Sequence, residues 1–316
     1  MTIQNPAPYF VVGAVRSGTT VLRLLLGHHP QICRCEEFEY VLPAIVGRND
    51  WPATAPYVQW LAQRRDFRAS GYRPDAALAF PDLARDFLVQ LQAMDAKPVV
   101  GATVHNHYDE LPRLWPEAKY IHLDRDPRDV ARSCVEMGWN GNAWAGVETW
   151  IRSHEEWQHL CRRVPAERRI EVKFEEFVID ADATLRRITQ FLGVEFDPAM
   201  FEIEGDTTYK RPNPRGARSW CDDAGETEVR EMEARLGDRL AQAGYAPSGL
   251  PPLAIGPMRE RALRWKDRIG RQRFAMRRYG ALTWIGSRLS QRLLPIGALR
   301  KRTQATIDRI DELHLK

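Results

Sequence analysis

No run of about 18 apolar residues occurs anywhere in this 316-residue sequence, so no helix is expected to span a bilayer. Cysteine is scarce. Cys33, Cys35, Cys134, Cys161 and Cys221 make an odd set whose spacing fits neither a zinc site nor a disulfide framework. Reduced thiols in a cytoplasmic protein are therefore expected. The first residues lack the basic and apolar regions of a signal peptide. Internal repeats, low-complexity tracts and a convincing metal-binding cluster are also missing, so no metal site is predicted. The net charge is only +4, and a nucleic-acid partner is not expected.

What is present is ordinary globular composition, 44% hydrophobic and 28% charged. Tyr9-Phe10-Val11-Val12-Gly13 reads as a buried strand. A Gly-bearing loop and a Leu-rich helix follow, ending near Gly27. Further strands are predicted at 98–103, 119–123 and 169–174, and helices at 143–164, 183–192 and 226–243; residues 51–93 read as mainly helical. Strands alternating with helices predict an α/β fold, a P-loop-like parallel sheet flanked by helices with a C-terminal helical extension. Four prolines and two glycines at 247–257 suggest a linker between a domain at 1–246 and an extension at 258–316. From Pro257 to Lys316, 16 Lys and Arg stand against 5 Asp and Glu. That extension, with its Trp and Leu residues, suggests a peripheral membrane contact or a homodimer interface.

The first strand runs into Gly13-Ala14-Val15-Arg16-Ser17-Gly18-Thr19-Thr20 and then a helix. Glycines let the backbone approach an anion, and the helix start supplies free N–H groups at the positive end of its dipole. The stretch nearly fits the ATPase pattern G-x-x-x-x-G-K-[ST], but Thr19 occupies the lysine position. A P-loop kinase or NTPase is the alternative reading, and it would be without its main phosphate cation.

Arg16-Ser17-Gly18-Thr19-Thr20, followed by His29-Pro30, resembles the 5′-phosphosulfate loop of the PAPS-dependent sulfotransferases (PAPS is 3′-phosphoadenosine 5′-phosphosulfate). Cys33-Arg34-Cys35-Glu36-Glu37 is similar to the protein-tyrosine sulfotransferases, and the resemblance places a catalytic base at Glu37. His105 is the rival base, since other branches of the family use a histidine after the neighbouring strand. Arg125, at a strand end, and Ser133, eight residues later, resemble the family's 3′-phosphate element. Arg128 and Asp129 are expected on a solvated helix face. Phe174 stands where the family often has Tyr, and Arg218, in Gly-Ala-Arg-Ser-Trp, resembles a basic loop that closes over the donor; Lys210, Arg211 and Arg215 belong to the same stretch. The family's strand lysine near residue 102 is missing, which leaves His105, His107 or Arg16 to replace it.

The resemblance implies sulfuryl transfer from PAPS to a hydroxyl acceptor, with PAP as product. The acceptor stays open among a tyrosine, a sugar, a lipid and a small metabolite. Arg16 and the loop amides would stabilise charge on the departing phosphate oxygen. Trp139, Trp144, Trp150 and Trp157 are expected mostly in the core.

Overall fold

The computed structural model describes residues 7–203 and 212–292, together with Thr306 and Ile310. Its contacts group into two compact units. One joins Met1–Asp126 to Thr149–Ser219; the other joins Pro127–Glu148 to Trp220–Lys316.

The first unit holds the sheet. Its strands are β1 (Tyr9–Val12), β2 (Glu36–Glu37), β3 (Gly101–Val104), β4 (Lys119–Asp124) and β5 (Arg169–Lys173). They pair in the order β2-β3-β1-β4-β5, all parallel. β1 is central and buried on both sides, which explains its unbroken apolar run. Alternate side chains feed two cores. Phe10 and Val12 join Phe38, Phe87, Trp115 and Tyr120, whereas Tyr9 and Val11 join Leu22, Leu25, Phe177 and Ile188. Helix α1 (Thr19–Gly27) lays Leu22, Leu25 and Leu26 into the second core. Each such leucine contributes about 1.5–3 kcal/mol by burial. The helix Ala181–Leu192 starts where Asp180 accepts the Ala183 N–H at 2.9 Å and stops at a left-handed Gly193.

The predicted parallel α/β fold is the one observed, with local differences. Sheet pairing of β3 begins at Gly101; Val99 makes only an isolated bridge to Ile32. β5 ends at Lys173, and Phe174 opens the short helix Phe174–Ile179. β2 was not expected, because two adjacent glutamates carry no strand pattern. The helix predicted at 226–243 is two, Glu226–Leu236 and Arg239–Gln242, broken at Gly237.

The second unit is helical among its described residues and includes Pro127–Glu136, Glu226–Leu236, Pro257–Tyr279 and Ala281–Arg292. Arg128 and Asp129 are not solvated, contrary to expectation: each is only 2% exposed. The Arg128 guanidinium lies 3.6 Å from the Trp220 ring centroid and donates to Glu233 at 2.7 Å and to the Ala246 carbonyl at 3.0 Å. Asp129 accepts the Trp220 N–H at 2.8 Å. The helix Pro257–Tyr279 packs closely on 138–142. The Gly141 N–H donates to Asp267 and the Asn142 amide to the Leu263 carbonyl. A Cβ on Gly270 would lie 2.5 Å from the Gly141 Cα. The basic segment thus groups with residues 127–148 and 220–256 rather than standing apart after a linker.

Candidate active site

The chain leaves β1 at Gly13 and turns into α1 through two residues with left-handed backbone, Arg16 (φ 74°) and Gly18 (φ 92°). The Ser17 N–H closes the turn on the Ala14 carbonyl at 3.1 Å. Gly18 is the N-cap of α1 and offers no side chain to cap it. The first-turn amides therefore point into the loop, the arrangement that binds an anion. Ser17 is fully buried and its hydroxyl has no hydrogen-bond partner among the described residues. A buried hydroxyl of this kind is costly unless something else bonds it. Thr19 is buried and Thr20 half-buried on the first turn. Arg16, Ser17, Gly18, Thr19 and Thr20 thus form one continuous loop-to-helix cradle suited to the 5′ end of a phosphosulfate donor. The orphaned Ser17 hydroxyl is the feature that fits such a donor.

Phe174 and Arg125 brace this cradle. A Cβ on Gly18 would meet the Phe174 ring at 2.5 Å, so the ring lies against the loop. Arg125, just past β4, sits 4.4 Å above the same ring. It donates to the Arg16 carbonyl at 3.0 Å and to the Gly216 carbonyl at 2.9 Å. One guanidinium therefore ties the phosphate loop to the segment at 216. Arg218 lies two residues further on, exposed, with left-handed backbone (φ 57°). Lys210 and Arg211 fall outside the described residues. Ser133 is on the helix Pro127–Glu136, in the second unit, with its side chain nearly buried.

β2 and β3 carry the candidate bases. Glu37, opposite Thr103 in the sheet, is half exposed, and its carboxylate is 3.8 Å from Arg23 of α1. Glu36 points elsewhere. It pairs with Arg34 at 2.9 Å, accepts from the Tyr72 hydroxyl at 3.4 Å, and is pushed up from the usual carboxylate range by burial. His105 follows β3, and its Nδ1 is 3.0 Å from the Gly13 carbonyl. A carbonyl only accepts, so Nδ1 carries the proton, and in the neutral ring Nε2 is the basic atom. Glu39 takes the His105 backbone N–H and the Asn106 amide, the latter at 3.0 Å. Sequence reasoning missed Glu39. Its only signal was a third carboxylate two residues after Glu37. His107 has left-handed backbone (φ 59°) and lies 3.8 Å from Glu156.

His29 of the motif is structural. Its Nε2 donates to the Glu195 carbonyl at 2.7 Å, and its Nδ1 accepts the Gln31 N–H at 3.0 Å. Trp150 and Trp157 are buried as expected, with indole N–H groups on Asp124 and Glu171, both at 2.8 Å. Lys173 bridges those two carboxylates at 2.7 and 3.2 Å. The Glu171 carboxyl is lowered to about 2, chiefly by its hydrogen bond to His122. Trp139 is exposed.

Comparison with known proteins bears on the family and the fold. The model of the sulfotransferase family matches residues 8–198. Protein-tyrosine sulfotransferase A of Caenorhabditis elegans is 24% identical, over 78% of this chain and 69% of its own length. Protein-tyrosine sulfotransferase 2 of Gallus gallus is 22% identical, over 77% and 70%. The sulfotransferase domain from the Synechococcus PCC 7002 olefin synthase shares the fold, with a TM-score of 0.54 and 22% identity over 79% of this chain and 98% of that domain. With a family model matched across the whole sheet and both sides of the phosphate loop, the chain belongs to the sulfotransferase family, enzymes that move a sulfuryl group from PAPS to a hydroxyl and leave PAP.

Proposed function

We propose that this enzyme transfers the sulfuryl group in line to a phenolic hydroxyl, a tyrosyl side chain, with Glu37 as the base and without a metal ion. The observation that carries the reading is the cradle at 13–20, where an orphaned Ser17 hydroxyl and uncapped α1 amides converge at the end of β1. There the 5′-phosphosulfate would sit, with Arg16 and the amides receiving the charge that grows on the leaving oxygen. Arg125 holds the loop carbonyl of Arg16; its donor-binding assignment, like those of Ser133, Phe174 and Arg218, rests on the resemblance. Arg23 orients Glu37.

The tyrosyl acceptor is supported by the curated relatives, which are protein-tyrosine sulfotransferases. It also suits the chemistry. A phenol, with a pKa of about 10, gives its proton to a carboxylate far more readily than an aliphatic alcohol does. The sulfuryl group carries less charge than a γ-phosphate, so fixed cations and N–H donors suffice. All five cysteines are thiols rather than disulfides, which supports a reducing, cytoplasmic setting.

Labelled PAPS offered with tyrosine peptides, sugars and lipid alcohols tests the acceptor; label in the sugar or lipid pool and none in the peptide would overturn it. For the base, Glu37→Gln is expected to lower turnover by about 100-fold or more while PAP affinity holds. Near-normal turnover in Glu37→Gln, with activity abolished in His105→Ala, would move the role to Nε2 of His105.

A further inference from the structure

We infer that the helix Pro257–Tyr279, with the start of Ala281–Arg292, is a docking surface for a bilayer containing anionic phospholipid. The inference stands on the second unit alone and does not depend on the acceptor or base assignments.

The helix has two unlike faces. Leu263, Asp267 and Ala275 are buried toward 138–142 and the rest of the unit. On the opposite side, Met258, Ala262, Trp265, Ile269 and Met276 recur at helical spacing and form one stripe. Met258 is 85% exposed and Trp265 65%. The next helix extends the apolar surface with Leu282, 89% exposed, and Ile285. Large apolar side chains that stand this far into solvent are not filling a groove among the described residues.

Cations flank the stripe on both sides. Arg261 and Arg268 lie along one edge; Lys266, Arg273 and Arg277 lie along the other. None of these five has an ion-pair partner among the described residues, whereas Arg259, Arg264 and Arg271 are neutralised by Glu231, Glu260 and Asp267. Beside them is a concavity of about 470 Å³ lined by Trp144, Arg235, Arg264, Trp265, Arg268 and Arg271. The Trp144 ring lies 4.1 Å from the Arg235 guanidinium, which Glu148 fixes at 2.7 Å.

An apolar stripe bordered by unneutralised arginines matches a lipid surface. The stripe enters the acyl boundary, the flanking cations meet the phosphates, and Trp265 sits at headgroup level. Charge complementarity selects an anionic bilayer, since 16 Lys and Arg oppose 5 Asp and Glu across 257–316. No helix among the described residues is long and apolar enough to cross a membrane, so the contact described is peripheral.

The test uses the full chain in vesicle cosedimentation, with phosphatidylcholine alone or with about one third phosphatidylglycerol. Binding is expected to the anionic vesicles only, and to weaken as salt rises. Replacing Arg261, Lys266, Arg268 and Arg273 together by Gln should cut partitioning by about 100-fold or more, at about fivefold per charge. Met258→Ser with Trp265→Ser should also weaken binding. Unchanged circular dichroism and PAP affinity in these surface variants would show that the fold is intact. The inference fails if the wild-type chain stays in the supernatant with both vesicles or pellets equally with each. It also fails if the chain dimerises in solution and the same substitutions break the dimer, because the surface then meets a second copy.

Discussion

Two polar side chains, Ser17 in the phosphate loop and the largely buried Glu156, show how single residues shape stability. The Ser17 hydroxyl is buried without a partner among the described residues, and burying such a group carries a desolvation cost that a bound donor would offset. Ser17→Ala should leave the melting temperature unchanged or slightly higher, yet weaken PAP by about 1–1.5 kcal/mol. Calorimetry and a thermal melt together check this, and unchanged affinity would remove Ser17 from the donor site. Glu156 is the second case. Burial raises its carboxyl from 4.5 to about 7, against the backbone N–H groups of His107 and Tyr108, which lower it. Below pH 4.5 both folded and unfolded chains hold the proton. Between 4.5 and 7 only the folded chain does, so stability falls as pH rises through that window. Glu156→Gln should flatten this slope and stabilise the protein at pH 8 by about 1–3 kcal/mol relative to wild type. Denaturant melts at pH 5 and pH 8 measure the difference.

Elements are held in place by contacts that span long stretches of sequence. The turn into α1 works because Gly18 takes φ 92° and leaves room for the Phe174 ring. Gly18→Ala adds left-handed strain and a clash, and should cost about 2 kcal/mol or more. Adding Phe174→Leu should recover part of that loss. Strict additivity of the two in a double-mutant cycle would mean that the ring does not brace the loop. This junction also shows what the sequence made legible. β1 and the 13–20 loop were readable because a buried central strand is uniformly apolar and a phosphate loop needs residues a plain turn does not. β2 was not readable, since Glu36–Glu37 owes its strand pairing to β3 rather than to any local pattern. Phe174 was placed at the end of a strand, but there the chain turns into a helix.

At the scale of the whole molecule, the fold class was legible and the division into units was not. Alternating strands and helices announce a parallel sheet wherever they occur. A unit assembled from 127–148 and 220–316 leaves no composition shift at its seams, and the Pro-rich stretch at 247–257, which suggested a linker, lies inside that unit. Arg128 illustrates the reason. Its partners, Glu233 and Ala246, are more than 100 residues away, so its neighbours in sequence suggest a solvated helix face. In the fold it is a buried charge, stacked on Trp220 and bonded to a carboxylate that also accepts from the N–H and hydroxyl of Ser248. Removing one partner of such a pair leaves the other charge buried and uncompensated, which costs about 3–5 kcal/mol. Arg128→Ala should therefore destabilise the protein by that amount. Glu233→Ala should do so comparably, since it strands both Arg128 and Ser248. The double variant should cost clearly less than the sum, with a coupling of about 2 kcal/mol or more, because neither charge then remains alone. Urea melts of the four proteins measure the cycle. A coupling near zero would mean that Arg128 is held by its Trp220 stacking and the Ala246 carbonyl rather than by the ion pair.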